Sequence, residues 1–276
     1  MNIDNVKKNS ENSENPENTD HYFICNAVQS PIDRRDWIYA TNASSTIPNV
    51  VDYRDLLQPI RNQGRHGSCF AMSSCCMKEL QERKDYNFQD YFSPKFFYAQ
   101  RINLVDEHKY NDEGMYGRDV MRILQKIGVC YEKTCPYVNV EEKTDWTPFL
   151  EEAKQHVISH YARVSTVEGL CQAIHKHGVC LITVPVYNKT TNSIWKKLTP
   201  DAKLQGGHAM AVVGYDKERK YFIIRNSWGE KWCDKGYCLF PFADWGMKWE
   251  VWTTVDDDTE IEKWEDPKIC PPCVIA

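Results

Sequence analysis

Apolar positions along this chain change period near its middle. Between Ala71 and Leu80 they crowd more than one side of a helix (Ala71, Met72, Cys75, Cys76, Met77, Leu80), which predicts a largely buried helix. The turn Gln63-Gly64-Arg65-His66-Gly67-Ser68 runs into it and places Cys69 in its first turn. Ser93-Pro94 opens a second helix through Leu104, with a good N-cap and proline in the first turn. Val120, Ile123, Leu124 and Ile127 recur at helical spacing, so Asp119 to Ile127 is a third, ended by Gly128. From Val179 the pattern shortens. Val179 to Val186 is an apolar run suited to a buried strand, and Ala209–Tyr215 and Tyr221–Arg225 flank the polar turn Asp216–Lys220 as a hairpin. Gly236–Phe240 and Trp249–Thr253 add strands, so helices come first and strands second, with no internal repeat.

The two ends differ from this body. Met1 to Asp20 is rich in Asn, Glu and Ser with no apolar core, which predicts disorder and no secretory signal. His21 to Ser45 carries Tyr22, Phe23, Ile24, Val28, Ile32, Trp37, Ile38 and Tyr39, enough apolar surface to dock somewhere. The net charge of −5 sits in residues 1–20 and 256–268, leaving the body slightly positive. No basic block suggests nucleic acid, and no apolar run reaches the ~18 residues of a membrane span. Twelve cysteines without a secretory signal point to mostly free thiols in a reducing, cytoplasmic setting. The tail Asp256 to Ala276 ends in Cys270-Pro271-Pro272-Cys273, read as a solvated tail with incidental thiols; a disulfide or metal staple is the other possibility.

Candidate chemistry centres on Cys69. Unpaired N–H groups and the positive end of the dipole at a helix start stabilise a thiolate, and the thiolate is the nucleophile. His208, in Gly206-Gly207-His208-Ala209, follows 139 residues later and can take and return a proton. Asn226, in Arg225-Asn226-Ser227-Trp228-Gly229, can orient the ring without adding charge. His66, His175 and His177 lack such a setting and read as surface or packing residues.

These three motifs, with Ile47-Pro48 to Asp52-Tyr53-Arg54 and Trp232-Cys233-Asp234-Lys235-Gly236-Tyr237, resemble the papain family of cysteine peptidases from about Ile47 to Thr254, nearest in detail to its microbial and viral members. The resemblance implies an α+β, papain-like two-lobe fold, a helical lobe followed by a β-barrel-like one with a cleft between them. It implies an endopeptidase that forms an acyl-enzyme through a thiolate–imidazolium pair of Cys69 and His208 and acts on polypeptides without cofactor or metal. Asn226 is then the orienting residue and Gln63 the oxyanion donor together with the Cys69 backbone N–H. Gly114 pairs with substrate backbone, Tyr116 lines a side-chain subsite, Gly207 and Ala209 flank the base at another, and Trp228 shields the histidine–asparagine bond. Two family positions differ: His66 stands where a cysteine is usual and Phe70 where a tryptophan is, so one family disulfide cannot form.

The expected organisation is an N-terminal extension over 1–46, a peptidase domain over 47–255 and an acidic tail over 256–276. Within the extension, Tyr22–Tyr39 is expected to act as a short inhibitory propeptide cleaved near Thr46, of a monomeric zymogen; a permanent strap on the back of the fold is the alternative. A viral source would place the protein in host cytoplasm or virion. Three rival functions use parts of the same sequence: acyl transfer to an amine, a permanently covered peptide-binding protein, and a redox protein built on Cys270 and Cys273.

Overall fold

The chain enters as an extended segment whose burial alternates. The computed structural model describes residues 23–42, 45–104, 114–138 and 145–255, so the acidic ends and Cys270/Cys273 lie outside the described residues. Phe23, Cys25 and Ala27 are buried while Ile24 and Val28 are exposed, the two-residue period of a strand. This segment contains β1 (Ala27–Val28) and is followed by β2 (Val50–Asp52).

Helix α1 (Cys69–Tyr86) begins at Cys69 itself, and every residue from Cys69 to Glu82 is buried. A helix covered on all sides has no polar face to offer solvent, so its charges need partners. Lys78 pairs with Glu82 at 3.1 Å, and Glu79 accepts from Arg61 at 2.6 Å and from the Phe92 N–H at 3.0 Å. Helix α2 (Pro94–Leu104) starts as predicted, with Ser93 Oγ accepting from the Phe96 N–H at 3.1 Å. After β3 (Met115–Tyr116), helix α3 (Gly117–Lys126) begins two residues before the predicted start at Asp119, and Val120, Ile123 and Leu124 are fully buried.

The second half is mainly sheet. Short α4 (Thr147–Ala153) precedes β4 (His160–Arg163), α5 (Val167–His177), β5 (Cys180–Val186), β6 (Gly206–Asp216), β7 (Tyr221–Arg225), β8 (Tyr237–Pro241) and β9 (Glu250–Val255). The strands order β4-β9-β5-β6-β7-β8, all antiparallel, with β2 beside the far half of β6. The predicted hairpin is β6–β7. Strand β4 and helix α5 precede the change of period at Val179 and were not among the predicted elements. The signals of α5 are local: Thr166 Oγ1 caps it by accepting the Gly169 N–H at 2.9 Å, and Gly178 follows it.

The architecture is α+β in two lobes. Helices α2 and α3 pack on one side of α1 and the sheet, through β6, on the other. One core gathers around Phe70, Met77, Leu80, Phe97 and Leu124, a second around Trp195, Tyr215, Phe222 and Phe240, and a small third joins Phe96, Cys130, Cys135 and Ala153. No helix among the described residues is long and apolar enough to cross a membrane.

Candidate active site

Two lobes meet at Cys69. It is the first residue of α1 and is fully buried, as are His208 on β6 and Gln63 in the turn before the helix. The pairing of Ala211 with Arg225 between β6 and β7, carried three residues further, sets Trp228 opposite His208. The two rings do meet, with centroids 4.5 Å apart, and Asn226 at the end of β7 reaches the imidazole.

The hydrogen bonds fix the tautomer of His208. Asn226 Oδ1 accepts the Ser227 backbone N–H at 2.7 Å and lies 2.7 Å from His208 Nε2. An atom that accepts a backbone N–H is the carbonyl oxygen, so Nε2 carries the proton and donates. Nδ1 is left as a buried lone pair with no partner among the described residues. Such a nitrogen is available to take a proton.

Burial sets the charge state. It pushes the Cys69 thiol up to about 12, against the nearby Ala209 N–H, which favours the thiolate. It pulls His208 down to about 4, against the hydrogen bond to Asn226. Both groups are therefore neutral in this covered cleft, where the resemblance implies an ion pair. The cause is desolvation, which penalises each charged form.

The cover is the N-terminal segment. Phe23 stacks on Trp228 with centroids 4.6 Å apart and planes 3° from parallel, and its carbonyl accepts from Lys189 Nζ at 2.6 Å. Strand β1 runs parallel to β3, pairing Ala27 with Met115 and Val28 with Tyr116, while Asn26 bridges to Gly207. The Ile24 carbonyl accepts from Gln63 Nε2 at 3.3 Å. Beyond the cleft, Ser30 Oγ and N–H donate to Glu250 at 3.2 Å each. Asp36 takes Arg118 at 2.5 and 2.6 Å and Arg163 at 3.0 Å. The segment thus crosses the front of the fold. A recess of about 440 Å³ beside it is lined by Asn26, Val28, Gly206, Gly207 and Trp249, among others.

The structure joins His208 to Asn226 and Trp228, ties Gln63 to Ser227 beside Asn226, and sets Cys69 against the backbone N–H of Ala209, the residue after His208; Gly114 and Gly207 approach the covering segment. A Cβ on Gly114, whose φ is +95°, would lie 1.8 Å from the Asn26 carbonyl oxygen; one on Gly207 would lie 2.2 Å from that of Ala27. Tyr116 contributes backbone to β3 and is half-buried. Ala209 is fully buried in the core that holds Cys69, so its N–H faces the sulfur while its methyl packs inward. Sequence reasoning missed Ser227 and Tyr137. Ser227 Oγ donates to Gln63 Oε1 at 2.7 Å, and Tyr137 donates to the Gln63 carbonyl at 3.0 Å. Ser227 stands inside the Asn226 motif and could have been found there; Tyr137 carries no local signal.

Known proteins give the same frame. Residues 47–244 match the model of the papain family cysteine protease. Cathepsin K of Mus musculus is 28% identical over 214 residues, covering 74% of this chain and 63% of that protein. Papain of Carica papaya is 26% identical over 210 residues, covering 69% of this chain and 54% of that protein. The chain therefore spans less than two thirds of the length of either. The crystal structure of xylellain, a cysteine protease from Xylella fastidiosa, superposes with a TM-score of 0.75 at 25% identity, over 86% of this chain and 97% of that one.

Proposed function

Because the chain belongs to the papain family of cysteine proteases, we propose that it is a cysteine endopeptidase acting on polypeptides, held inactive by its own residues 23–39 until they are removed. With the cover gone, water returns to the cleft and the desolvation of both groups falls. The Cys69 proton then passes to the free Nδ1 of His208, giving thiolate and imidazolium. The thiolate attacks the peptide carbonyl, and the oxyanion receives hydrogen bonds from Gln63 Nε2 and the Cys69 N–H. His208 returns its proton to the leaving amine. Water, deprotonated by His208, releases the acyl-enzyme.

One observation carries the inhibitory reading: Gln63 Nε2, the donor assigned to the oxyanion, is engaged by the Ile24 carbonyl. The parallel pairing of β1 with β3 supports it, since inhibitory segments of this family cross the cleft in the non-productive sense. Four forms decide the matter on a fluorogenic peptide: the full chain, a chain beginning at Ile47, and each of these with Cys69→Ala. The shortened chain is expected to be active, the full chain silent until cleaved, and both alanine forms silent. Equal activity of the first two removes the inhibitory role; turnover surviving Cys69→Ala removes the peptidase reading.

A further inference from the structure

We propose that Cys130 and Cys135 are a redox dithiol that closes a disulfide across the turn leading to Tyr137, with a small-molecule disulfide as oxidant. The backbone brings the two together. The Tyr131 carbonyl accepts both the Thr134 N–H at 3.2 Å and the Cys135 N–H at 3.1 Å, so the chain coils back within five positions. Ser93 ties both ends of the coil: its N–H donates to the Cys130 carbonyl at 2.9 Å and its Oγ to the Cys135 carbonyl at 2.5 Å. The side chains share one small core with Phe96 and Ala153, and both thiols are free.

That shared core sets them apart. Cys75, Cys76, Cys171, Cys180 and Cys238 are each held protonated first by burial, as inert core thiols are. For Cys130 and Cys135 the largest influence on each is the other thiol, which holds the proton on Cys130 and, with Lys95 nearby, draws Cys135 toward the thiolate. Cys135 is also the more accessible, 4% exposed against 0% for Cys130.

The chemistry follows from that asymmetry. The Cys135 thiolate attacks a small disulfide RSSR, forming an S–S bond to one sulfur and expelling the other as RS⁻. The first RS⁻ takes the Cys130 proton, and the Cys130 thiolate displaces the second RS⁻ from the mixed disulfide, which takes up the proton that Cys135 had released. Two protein thiols are oxidised and one RSSR is reduced to two RSH. Tyr137 stands two residues on and holds the Gln63 carbonyl and, at 2.5 Å, the Ser68 hydroxyl, so the bond would brace the floor under Cys69. The bond uses no group of the peptidase mechanism, and the inference stands apart from that reading.

The test uses the full chain with Cys69→Ala, so that thiol cannot react. It is equilibrated in glutathione buffers graded from reduced to oxidised, then alkylated, digested and read by mass spectrometry. Expected at the oxidised end is a peptide holding Cys130 and Cys135 that lacks both alkyl groups and is two hydrogens lighter; reductant restores both. The same treatment of Cys135→Ser is expected to leave Cys130 alkylated. Both sulfurs recovered as thiols or as separate glutathione adducts throughout, or either bonded to another cysteine, would overturn the proposal, and the unsubstituted pair is read directly, whatever the variant's folding.

Discussion

If residues 23–39 hold the cleft shut, weakening their far anchor should open it in proportion to the energy lost. Asp36→Ala is the cleanest such change, because Asp36 lies well away from the sulfur. The carboxylate takes three hydrogen bonds from two guanidinium groups, with side-chain exposures of 6% for Asp36, 17% for Arg118 and 20% for Arg163. Breaking a fully buried ion pair costs about 3–5 kcal/mol. Here both arginines keep some water, and Arg163 keeps Glu250 at 3.5 Å. A loss of about 2–3 kcal/mol is the fitting magnitude, and at about 1.4 kcal/mol per decade this raises the open fraction ~30–150-fold. The assay is the rate at which a thiol-directed peptidyl inhibitor labels Cys69 in the full chain, with the Ile47 chain as ceiling. An Asp36→Ala rate within about twofold of the unsubstituted chain, with the Ile47 chain labelling fast, would show that this anchor does not govern the cover.

Four further outcomes follow from the same geometry. Phe23→Ala removes the ring stacked on Trp228; at ~3 kcal/mol for a buried phenylalanine, labelling of the full chain should rise about a hundredfold. Gln63→Ala in the Ile47 chain should lower kcat by ~10²–10³ with little change in KM, and an unchanged kcat would end its oxyanion role. Asn226→Ala leaves the Nε2–H of His208 without its acceptor, so kcat should fall and Asn226→Asp should not behave like it in a pH profile. His208 and His177 are both held down to about 4 by burial, and His177 lies edge-on to Tyr39 of the covering segment. On opening, the Cys69 proton moves to His208, so that pair binds the same number of protons covered or open; His177 alone binds fewer when covered, and closure is strongest above about pH 6.5. It weakens as pH falls toward 4, by up to ~1.4 kcal/mol per unit from that one group. The labelling rate of the full chain divided by that of the Ile47 chain should therefore rise between pH 7 and 5; a flat ratio refutes the linkage.

The parts of the site legible in the sequence were those whose chemistry needs a particular residue at a particular local setting. Cys69 at a helix start, His208 at the head of a strand and Asn226 in a short motif all had such settings, and their elements form where the apolar pattern puts them. Helix α5 was legible too: Val167, Leu170, Cys171 and Ile174 recur at the same spacing as the apolar residues of α3, between the Thr166 cap and Gly178. Strand β1 has two residues, too few for a period to show, although Phe23, Cys25 and Ala27 already alternate. The charge state of the pair could not be read at all. It depends on what lies across the cleft, and that is settled by pairing between residues 27–28 and 115–116, far apart in the chain.

The close approach of Asn26 and Ala27 to Gly114 and Gly207 limits how such a protein could become permanently switched on. A side chain at either glycine would push the covering strand out, yet under the proposed function a peptide substrate bound in the same groove would be pushed out as well. Unregulated variants should therefore arise from lesions in the leader and its remote ion pairs, or from its cleavage. The walls of the groove offer no such escape.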